Sequence, residues 1–242
     1  MTVLILAGSG EARQIAQYCA TRGIRAIGSF AGATRQPAKL SICTRHGGFG
    51  GADGFRRYLA NAGIRAVIDA THPYATQITN RTAKICAEIG LPYLHVLRAP
   101  WVTQAGDDWT EIAREEDAAA LIPKGSTVFL GTGRQTLDRF SGLIGCRVIC
   151  RQIDPPTAPF PFEGGEFLIG RPPFPVAREK LIFAQLGIDW IVVKNAGGHA
   201  SATKLTAARE LGIPVLMIAR PASPVAMRVD NPVDALTWAQ SL

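Results

Sequence analysis

A short turn near the start of the chain combines residue types that bind nucleotide phosphates. The turn Gly8-Ser9-Gly10 lies between the apolar run 3–7 and the helical pattern 11–22. This order brings backbone N–H groups and the positive end of the helix dipole to one place. The pattern resembles the dinucleotide fingerprint G-x-G-x-x-G, with Arg13 in place of the third glycine. The alternative is a tight turn in which glycine serves only the backbone shape. The residues predicted to hold a nucleotide are Gly8, Ser9, Gly10, Glu11 and Ala12.

The end of the second predicted strand indicates which nucleotide binds. In NAD-binding sheets, an Asp or Glu about 20 residues beyond the glycine turn hydrogen-bonds the ribose 2′-hydroxyl. The segment 28–35 contains no acidic residue and ends in Arg35, with Lys39 close behind. Because hydroxyl groups and a guanidinium suit a 2′-phosphate, we assign Ser29 and Arg35 to the cofactor site and expect NADPH rather than NADH. The alternative is that Arg35 and Lys39 are solvated loop charges.

The segment Asp69–Ala75, which is Asp-Ala-Thr-His-Pro-Tyr-Ala, ends the fourth predicted strand. In a doubly wound sheet this strand end lies beside the first strand, so we expect Thr71, His72 and Pro73 to line the cofactor site. Pro73 is expected in the first turn of a helix, with Thr71 as its cap. A lone histidine is more often structural than catalytic, so no residue is assigned as the catalytic acid.

Two further strand ends, both in the second half, carry cations beside glycines. One is Lys194-Asn195-Ala196-Gly197-Gly198, followed by Lys204, and the other is Gly131-Thr132-Gly133-Arg134. Such turns form anion cradles, although each is also explained by turn chemistry alone. The residues assigned to an anionic substrate are Arg134, Lys194, Asn195, Gly197 and Lys204.

A recurring signal indicates the elements that position these residues. Five times, a helical stretch ends in Gly followed by Ile or Leu and a short apolar strand, as at Gly23, Gly63, Gly90, Gly187 and Gly212. Alternating strands and helices form βαβ units, which make parallel sheets covered by helices. The fold class predicted is α/β, with two Rossmann-like lobes, each a mainly parallel sheet flanked by helices, and the active site in the cleft between them.

The chain also resembles itself at an offset of 122 residues, so that segment 87–99 superimposes on 209–221. Any two βαβ units share glycine helix ends followed by apolar strands, so this similarity is explained equally well without a duplication of the chain. We expect a connecting helix over 110–121 and a new strand from Ser126, and we therefore place the boundary near Pro123. The predicted domains are 1–122, which binds NADPH, and 123–242, which binds the substrate.

Composition limits the partners. The 242 residues include 26 Lys and Arg against 19 Asp and Glu, a net charge of +7, which favours an anionic ligand. No basic arm or recognition-helix pattern favours nucleic acid. No apolar run approaches the roughly 20 residues of a membrane span, and no signal leader is evident, so we expect a cytoplasmic protein that contacts no membrane. Five scattered cysteines predict reduced thiols and no metal site.

Several of these motifs together resemble the precorrin-6x reductase family of cobalamin (vitamin B12) biosynthesis. The residues that carry the resemblance are Asp69–Ala75, Lys194–Gly198 with Lys204, 207–215 and Arg220-Pro221. The chain departs from the family at 7–13, where Gly-Gly-Thr-x-Glu-Gly-Arg is usual, and at Ala196, where Ser is usual.

The resemblance implies a two-lobed enzyme that moves hydride from NADPH to one double bond of precorrin-6A, giving precorrin-6B. The acetate and propionate carboxylates on the rim of this tetrapyrrole suit a basic site. The proton then comes from solvent or from a tautomer of the macrocycle. The resemblance also leaves room for transient contact with neighbouring enzymes of the pathway.

Alternatives remain in two classes. The nearest is a cobalt-precorrin-6A reductase of the anaerobic pathway that uses NADH. The other is a non-catalytic protein that binds anions or nucleotides. A short-chain dehydrogenase is disfavoured, because no Tyr is followed four positions later by Lys.

Overall fold

A computed structural model describes residues 1–32 and 39–242, which form two compact units. Unit 1 comprises residues 1–99 and 221–242, and unit 2 comprises residues 100–220. Each unit contains one sheet of six strands, and every pair of neighbouring strands in both sheets is parallel. The predicted fold class, two Rossmann-like lobes with parallel sheets flanked by helices, is confirmed.

In unit 1, helices cover both faces of the sheet. Its strands are β1 Thr2–Ala7, β2 Ala26–Phe30, β3 Cys43–His46, β4 Ile64–Ala70, β5 Tyr93–Val96 and β12 Met227–Val229. Its helices are α1 Gly10–Thr21, α2 Gly51–Asn61, α3 Thr76–Glu88 and α7 Pro232–Gln240. One core cluster joins α1 and α7 to the sheet, and another joins α2 and α3 to its opposite face.

In unit 2, α5 and α6 pack on one face of the sheet around Phe129 and Phe183. The strands are β6 Trp109–Ile112, β7 Thr127–Leu130, β8 Arg147–Gln152, β9 Gly165–Ile169, β10 Trp190–Lys194 and β11 Val215–Ile218. The helices are α4 Ala118–Leu121, α5 Val176–Leu186 and α6 Thr203–Leu211, with 3-10 segments at Glu115–Asp117, Arg134–Phe140 and His199–Ser201.

The glycine signal found in the sequence marks the ends of helices as predicted. All five glycines have φ between 58° and 67°, the left-handed region that ends a helix and that side chains with a Cβ rarely adopt.

Strand order puts the candidate turns beside one another within each unit. Sheet 1 has the order β12-β5-β4-β1-β2-β3, and sheet 2 has the order β6-β11-β10-β7-β8-β9. Sheet 1 matches the doubly wound order 3-2-1-4-5-6, whose direction reverses between strands 1 and 4. Sheet 2 has the same arrangement of its five strands β7–β11, but its edge strand β6 precedes them in the chain. Open α/β sheets commonly bind ligands at such a switch point. It lies between β1 and β4 in unit 1 and between β7 and β10 in unit 2.

The edge strands β6 and β12 do not follow the predicted domain boundary at Pro123. β6 follows β5 in the chain but pairs with β11 in sheet 2, while β12 follows β11 but pairs with β5 in sheet 1. The expected connecting helix over 110–121 is instead β6, a 3-10 segment and the single turn α4. The spacing of three between Trp109 and Ile112 suits one face of a helix, but pairing with β11 makes this segment a strand.

Within the described part of the chain, no helix is long and apolar enough to cross a membrane. The five cysteines form no disulfide, and all except Cys43 are buried.

Candidate functional site

The turns after β1 and β4 are in direct contact at the switch point of unit 1. Ser9 caps α1, with its Oγ accepting a hydrogen bond from the Ala12 N–H at 3.2 Å and donating to the Ala70 carbonyl at 2.7 Å. A Cβ on Gly8 would lie 3.7 Å from the backbone of Thr71 and of His72. The two turns that we predicted to be neighbours therefore touch. The Ser9 hydroxyl holds them together, and the buried Ala12 side chain belongs to the core.

Two charged side chains lie in the first turn of α1. The Glu11 carboxylate accepts a hydrogen bond from Arg98 Nη1 at 2.7 Å. Burial alone would raise the pKa of Glu11, but hydrogen bonds and the Arg98 charge outweigh it and lower this pKa. The carboxylate thus ties α1 to the segment after β5. Arg13 Nη2 lies 3.8 Å from where a Cβ on Gly10 would be, so an exposed guanidinium lies at the helix start.

The buried carboxylate of Asp69 fixes the turn that follows β4. Its Oδ1 accepts hydrogen bonds from the Thr71 N–H at 3.1 Å and the Thr71 hydroxyl at 2.7 Å, and its Oδ2 accepts one from the Tyr93 hydroxyl at 3.0 Å. The expectation that Thr71 caps a helix with Pro73 in its first turn is wrong. α3 begins at Thr76, because the Thr71 hydroxyl is bound by Asp69 instead.

His72 lies on the surface of this turn. Its Nδ1 accepts a hydrogen bond from the Tyr74 N–H at 3.3 Å, and the two rings are 5.7 Å apart. The Ala75 N–H donates to the His72 carbonyl at 2.8 Å, which closes the turn. The His72 imidazole therefore lies at the carboxyl end of β4, and hydrogen bonds within the turn fix the His72 backbone.

A row of side chains crosses sheet 1 in register at this edge. Strand pairing joins, in order, Arg228, His95, Asp69, Leu6, Ser29 and Arg45. Burial lowers the pKa of His95; the Asp69 charge opposes this effect and Arg228 adds to it. Sequence analysis found Asp69 and Ser29 but missed His95, Tyr93 and Arg45. A polar residue inside an apolar strand, such as His95, was the available signal.

Arg45, a cation that the sequence analysis did not assign, lies where β2 and β3 end. Ser29 is buried, and its Oγ accepts a hydrogen bond from Arg45 Nη1 at 2.7 Å. The rings of Phe30 and His46 stack at 5.4 Å beside this pair. Arg35, the residue predicted to meet a 2′-phosphate, lies outside the described residues.

At the switch point of unit 2, the charge of Lys194 is balanced. Lys194 Nζ lies 3.3 Å from Glu115 Oε1 and donates to the Thr136 hydroxyl at 3.1 Å. Burial raises the pKa of Glu115, but hydrogen bonds and the Lys194 charge reverse the shift, so the pKa is lowered. Lys194, predicted as a cation for substrate, is thus half of a buried ion pair whose acid the sequence analysis missed.

The other predicted residues of unit 2 divide into two groups. The Asn195 amide is bound to the Trp101 backbone, accepting from its N–H at 2.8 Å and donating to its carbonyl at 3.0 Å. The Lys204 stem packs 3.4 Å from where a Cβ on Gly131 would be, which brings the start of α6 against the turn after β7. Gly197 has a φ of 69° in the turn after β10, and Arg134 is exposed at the start of its 3-10 segment.

Comparisons with known proteins place this geometry in a context. Residues 2–240 match the family model described as Precorrin-6x reductase CbiJ/CobK. A precorrin-6A reductase of Rhodococcus erythropolis is 41% identical over 99% of this chain and 98% of its own length. One from Rhodobacter capsulatus is 40% identical over 92% and 89%. A solved structure titled CobK precorrin-6A reductase superimposes with a TM-score of 0.95 at 38% identity, covering 100% of this chain and 96% of that chain.

Relatives with a cobalt-containing substrate in their name are more distant. The cobalt-precorrin-6A reductase of Priestia megaterium is 25% identical over 90% of each chain.

Proposed function

The chain belongs to the precorrin-6x reductase family, and we propose that it reduces precorrin-6A with NADPH in cobalamin biosynthesis. The reaction would add hydride to one double bond of the macrocycle and give precorrin-6B. The main support is a full-length likeness to proteins named precorrin-6A reductase, joined to a doubly wound switch point whose turns carry the predicted nucleotide residues.

The residues at the β1 and β4 turns fit a nucleotide diphosphate. The Gly10 N–H opens α1 at the positive end of the helix dipole and precedes the intrahelical hydrogen bonds, whereas the Glu11 N–H is bound by the Glu11 carboxylate. Arg13 adds a cation there, and Arg98 neutralises the Glu11 carboxylate that would otherwise repel a phosphate. When bound, the nicotinamide ring supplies the hydride. The Thr71–Pro73 turn, held by Asp69, would set the position of that ring.

NADPH is favoured over NADH by the charges at the end of β2. The strand ends in Ser29 and Phe30 without the acid that accepts a ribose 2′-hydroxyl in NAD-binding sheets. Arg35 follows in the chain, and cations of this kind bind a 2′-phosphate. The alternative, an NADH-dependent cobalt-precorrin-6A reductase, has weaker support, because relatives so named are less similar to this chain.

The anionic rim of the substrate suits unit 2 through Lys204 and Arg134. Lys194 lies nearby at the end of β10, but a substrate carboxylate that approaches it would compete with Glu115. We infer that Lys194 orders the 3-10 segments around the site, and that Arg134, exposed at the start of one of them, meets substrate carboxylates directly. Gly197 and Asn195 shape the neighbouring turn.

The work of these residues is binding and orientation. Holding a donor and an acceptor in a reactive geometry supplies a large part of the rate enhancement of such reactions. The proton that follows the hydride is assigned to solvent or to the macrocycle itself, so no side chain is named as the acid.

Anaerobic incubation of the protein with precorrin-6A and NADPH tests the proposal. We expect NADPH absorbance to fall only when protein and substrate are both present, and more slowly with NADH. Binding of NADPH without its oxidation in the presence of precorrin-6A would favour the alternative of a non-catalytic nucleotide-binding protein. Equal rates with NADPH and NADH would remove the cofactor assignment and leave the reductase assignment in place.

A further inference from the structure

Arg45, at the end of edge strand β3, is held in one orientation by uncharged groups. Its Nη1 donates hydrogen bonds to the Ser29 hydroxyl at 2.7 Å and the Gly47 carbonyl at 2.9 Å, and its Nη2 donates to the Gly48 carbonyl at 2.9 Å. The guanidinium also lies over the rings of Phe49 and Tyr58, with its Cζ 4.0 Å and 5.0 Å from their centroids. Five groups thus fix the guanidinium of Arg45, and the whole side chain is half-buried.

The positive charge of Arg45 has no carboxylate partner among residues 1–32 and 39–242. A half-buried guanidinium that is fixed but not neutralised attracts an anion strongly, because charge-assisted hydrogen bonds form without further ordering of the side chain. The N–H on Nε and the second N–H on Nη2 are the donors that such an anion would use.

The position of this cation indicates the chemical class of the anion. Ser29 and Arg45 pair in register at the carboxyl ends of β2 and β3, next to the stacked rings of Phe30 and His46. In doubly wound sheets, the adenosine ribose of a dinucleotide lies at the end of the second strand. The anion expected there is a phosphomonoester on that ribose.

We propose that Arg45 binds the 2′-phosphate of NADPH and thereby sets the preference for NADPH over NADH. This inference rests on the proposed function, since it requires a dinucleotide at the switch point of unit 1. Ser29, whose hydroxyl accepts from Nη1, acts as a positioning residue for the guanidinium. The pair differs from Arg35, to which the sequence pattern assigned the same phosphate, and variants of each residue separate the two.

The test is isothermal titration of NADPH and NADH into the full-length protein and two variants. Arg45→Met removes the guanidinium but keeps much of the apolar stem of the side chain. We expect this variant to bind NADPH about 10- to 100-fold more weakly. Its NADH affinity should stay within about twofold. Arg25→Met is the matched control, because Arg25 is an exposed arginine at the opposite end of β2 and its loss makes the same change in net charge. The control should change neither affinity by more than about twofold.

Two further measurements keep the test decisive if Arg45→Met folds poorly. Arg45→Lys keeps the positive charge but lacks the paired N–H donors of the guanidinium. This variant should lose part of its preference for NADPH, and its NADH affinity should stay unchanged. For the unaltered protein, adenosine 2′-monophosphate should compete with NADPH better than adenosine 5′-monophosphate does, and its advantage should shrink with added salt.

The outcomes distinguish this inference from the proposed function. If the unaltered protein prefers NADPH and Arg45→Met keeps the full preference, the inference is overturned while NADPH dependence stands; loss of preference in Arg35→Met would then move the phosphate to that residue. An equal loss of both affinities in Arg45→Met also overturns it. If the unaltered protein shows no preference, the NADPH assignment and this inference both fall.

Discussion

At the scale of the residue, one buried carboxylate organises the turn that we propose contacts the cofactor. Asp69 has no exposed surface, and it accepts three hydrogen bonds from two residues, Thr71 just after β4 and Tyr93 at the start of β5. The sequence indicated that the Asp69–Ala75 segment is functional, but it gave Asp69 no role. Its partner Tyr93 is 24 positions away, and only strand pairing of β4 with β5 brings the two together.

Asp69→Asn should lower both stability and cofactor affinity. An amide can accept only at its oxygen, so at least one of the Thr71 and Tyr93 donors loses its buried acceptor, at about 1–3 kcal/mol of unfolding free energy. Displacement of the turn should raise KM for NADPH more than it lowers kcat. Urea unfolding and steady-state kinetics measure the two effects. Tyr93→Phe is the comparison variant: it removes a single bond to this buried carboxylate and should cost about 1.5–3 kcal/mol. Unchanged stability in Asp69→Asn would contradict this account.

His72→Ala should raise KM for NADPH and leave measurable turnover. His72 lies on the turn beside Gly8, where we propose that it contacts the cofactor, and no proton transfer is assigned to it. Single-turnover hydride transfer at saturating NADPH provides the measurement. Complete loss of that step with intact cofactor binding would make His72 a catalytic residue.

At the scale of the element, the ion pair of Glu115 and Lys194 fastens a 3-10 segment to the end of β10. The sequence predicted cations at strand ends, because lysine and arginine beside glycines are visible there. It did not predict their partner, since Glu115 fell within an expected connecting helix. A charge pair between distant segments leaves no periodic signal, whereas strands and helices do.

This pair predicts a dependence of stability on pH. The pKa of Glu115 is lower in the folded protein than in the unfolded chain. Its stabilising contribution is therefore complete above the ordinary value of about 4.5 and is lost as pH falls from there through the folded pKa. Glu115→Gln should flatten this part of the stability curve between neutral and acid pH, as followed by thermal unfolding. Glu116→Gln, at the half-exposed neighbouring position, is the control and should leave the slope unchanged.

At the scale of the whole molecule, each sheet takes its sixth strand from the other half of the chain. The five-strand pattern of each sheet could be predicted, because glycine helix ends and apolar strands recur along the sequence. The exchange could not be predicted, because β6 and β12 are three or four residues long and carry no signal that says which edge they join. Boundaries taken from local pattern alone therefore fell at Pro123 rather than at Ala99 and Pro100.

Fragments of the protein should reflect this exchange. Residues 100–220 contain all six strands of sheet 2, so this fragment should unfold cooperatively in urea when followed by circular dichroism. Residues 123–242 lack β6 and carry β12, which has no sheet to join, so this fragment should have lower stability or none. Equal stability of the two fragments would show that β6 is dispensable for the folding of unit 2.

The discontinuity of unit 1 also sets an order of events during synthesis. β5 leaves the ribosome about 130 residues before β12, and the whole of unit 2 is made in between. At roughly 5–20 residues per second, the edge of β5 stays unpaired for roughly 7 to 26 seconds while sheet 2 is completed. An open strand edge invites pairing with other chains. The unit that begins the protein is therefore the last to be finished, and nascent chains are most exposed to aggregation just before their final strand appears.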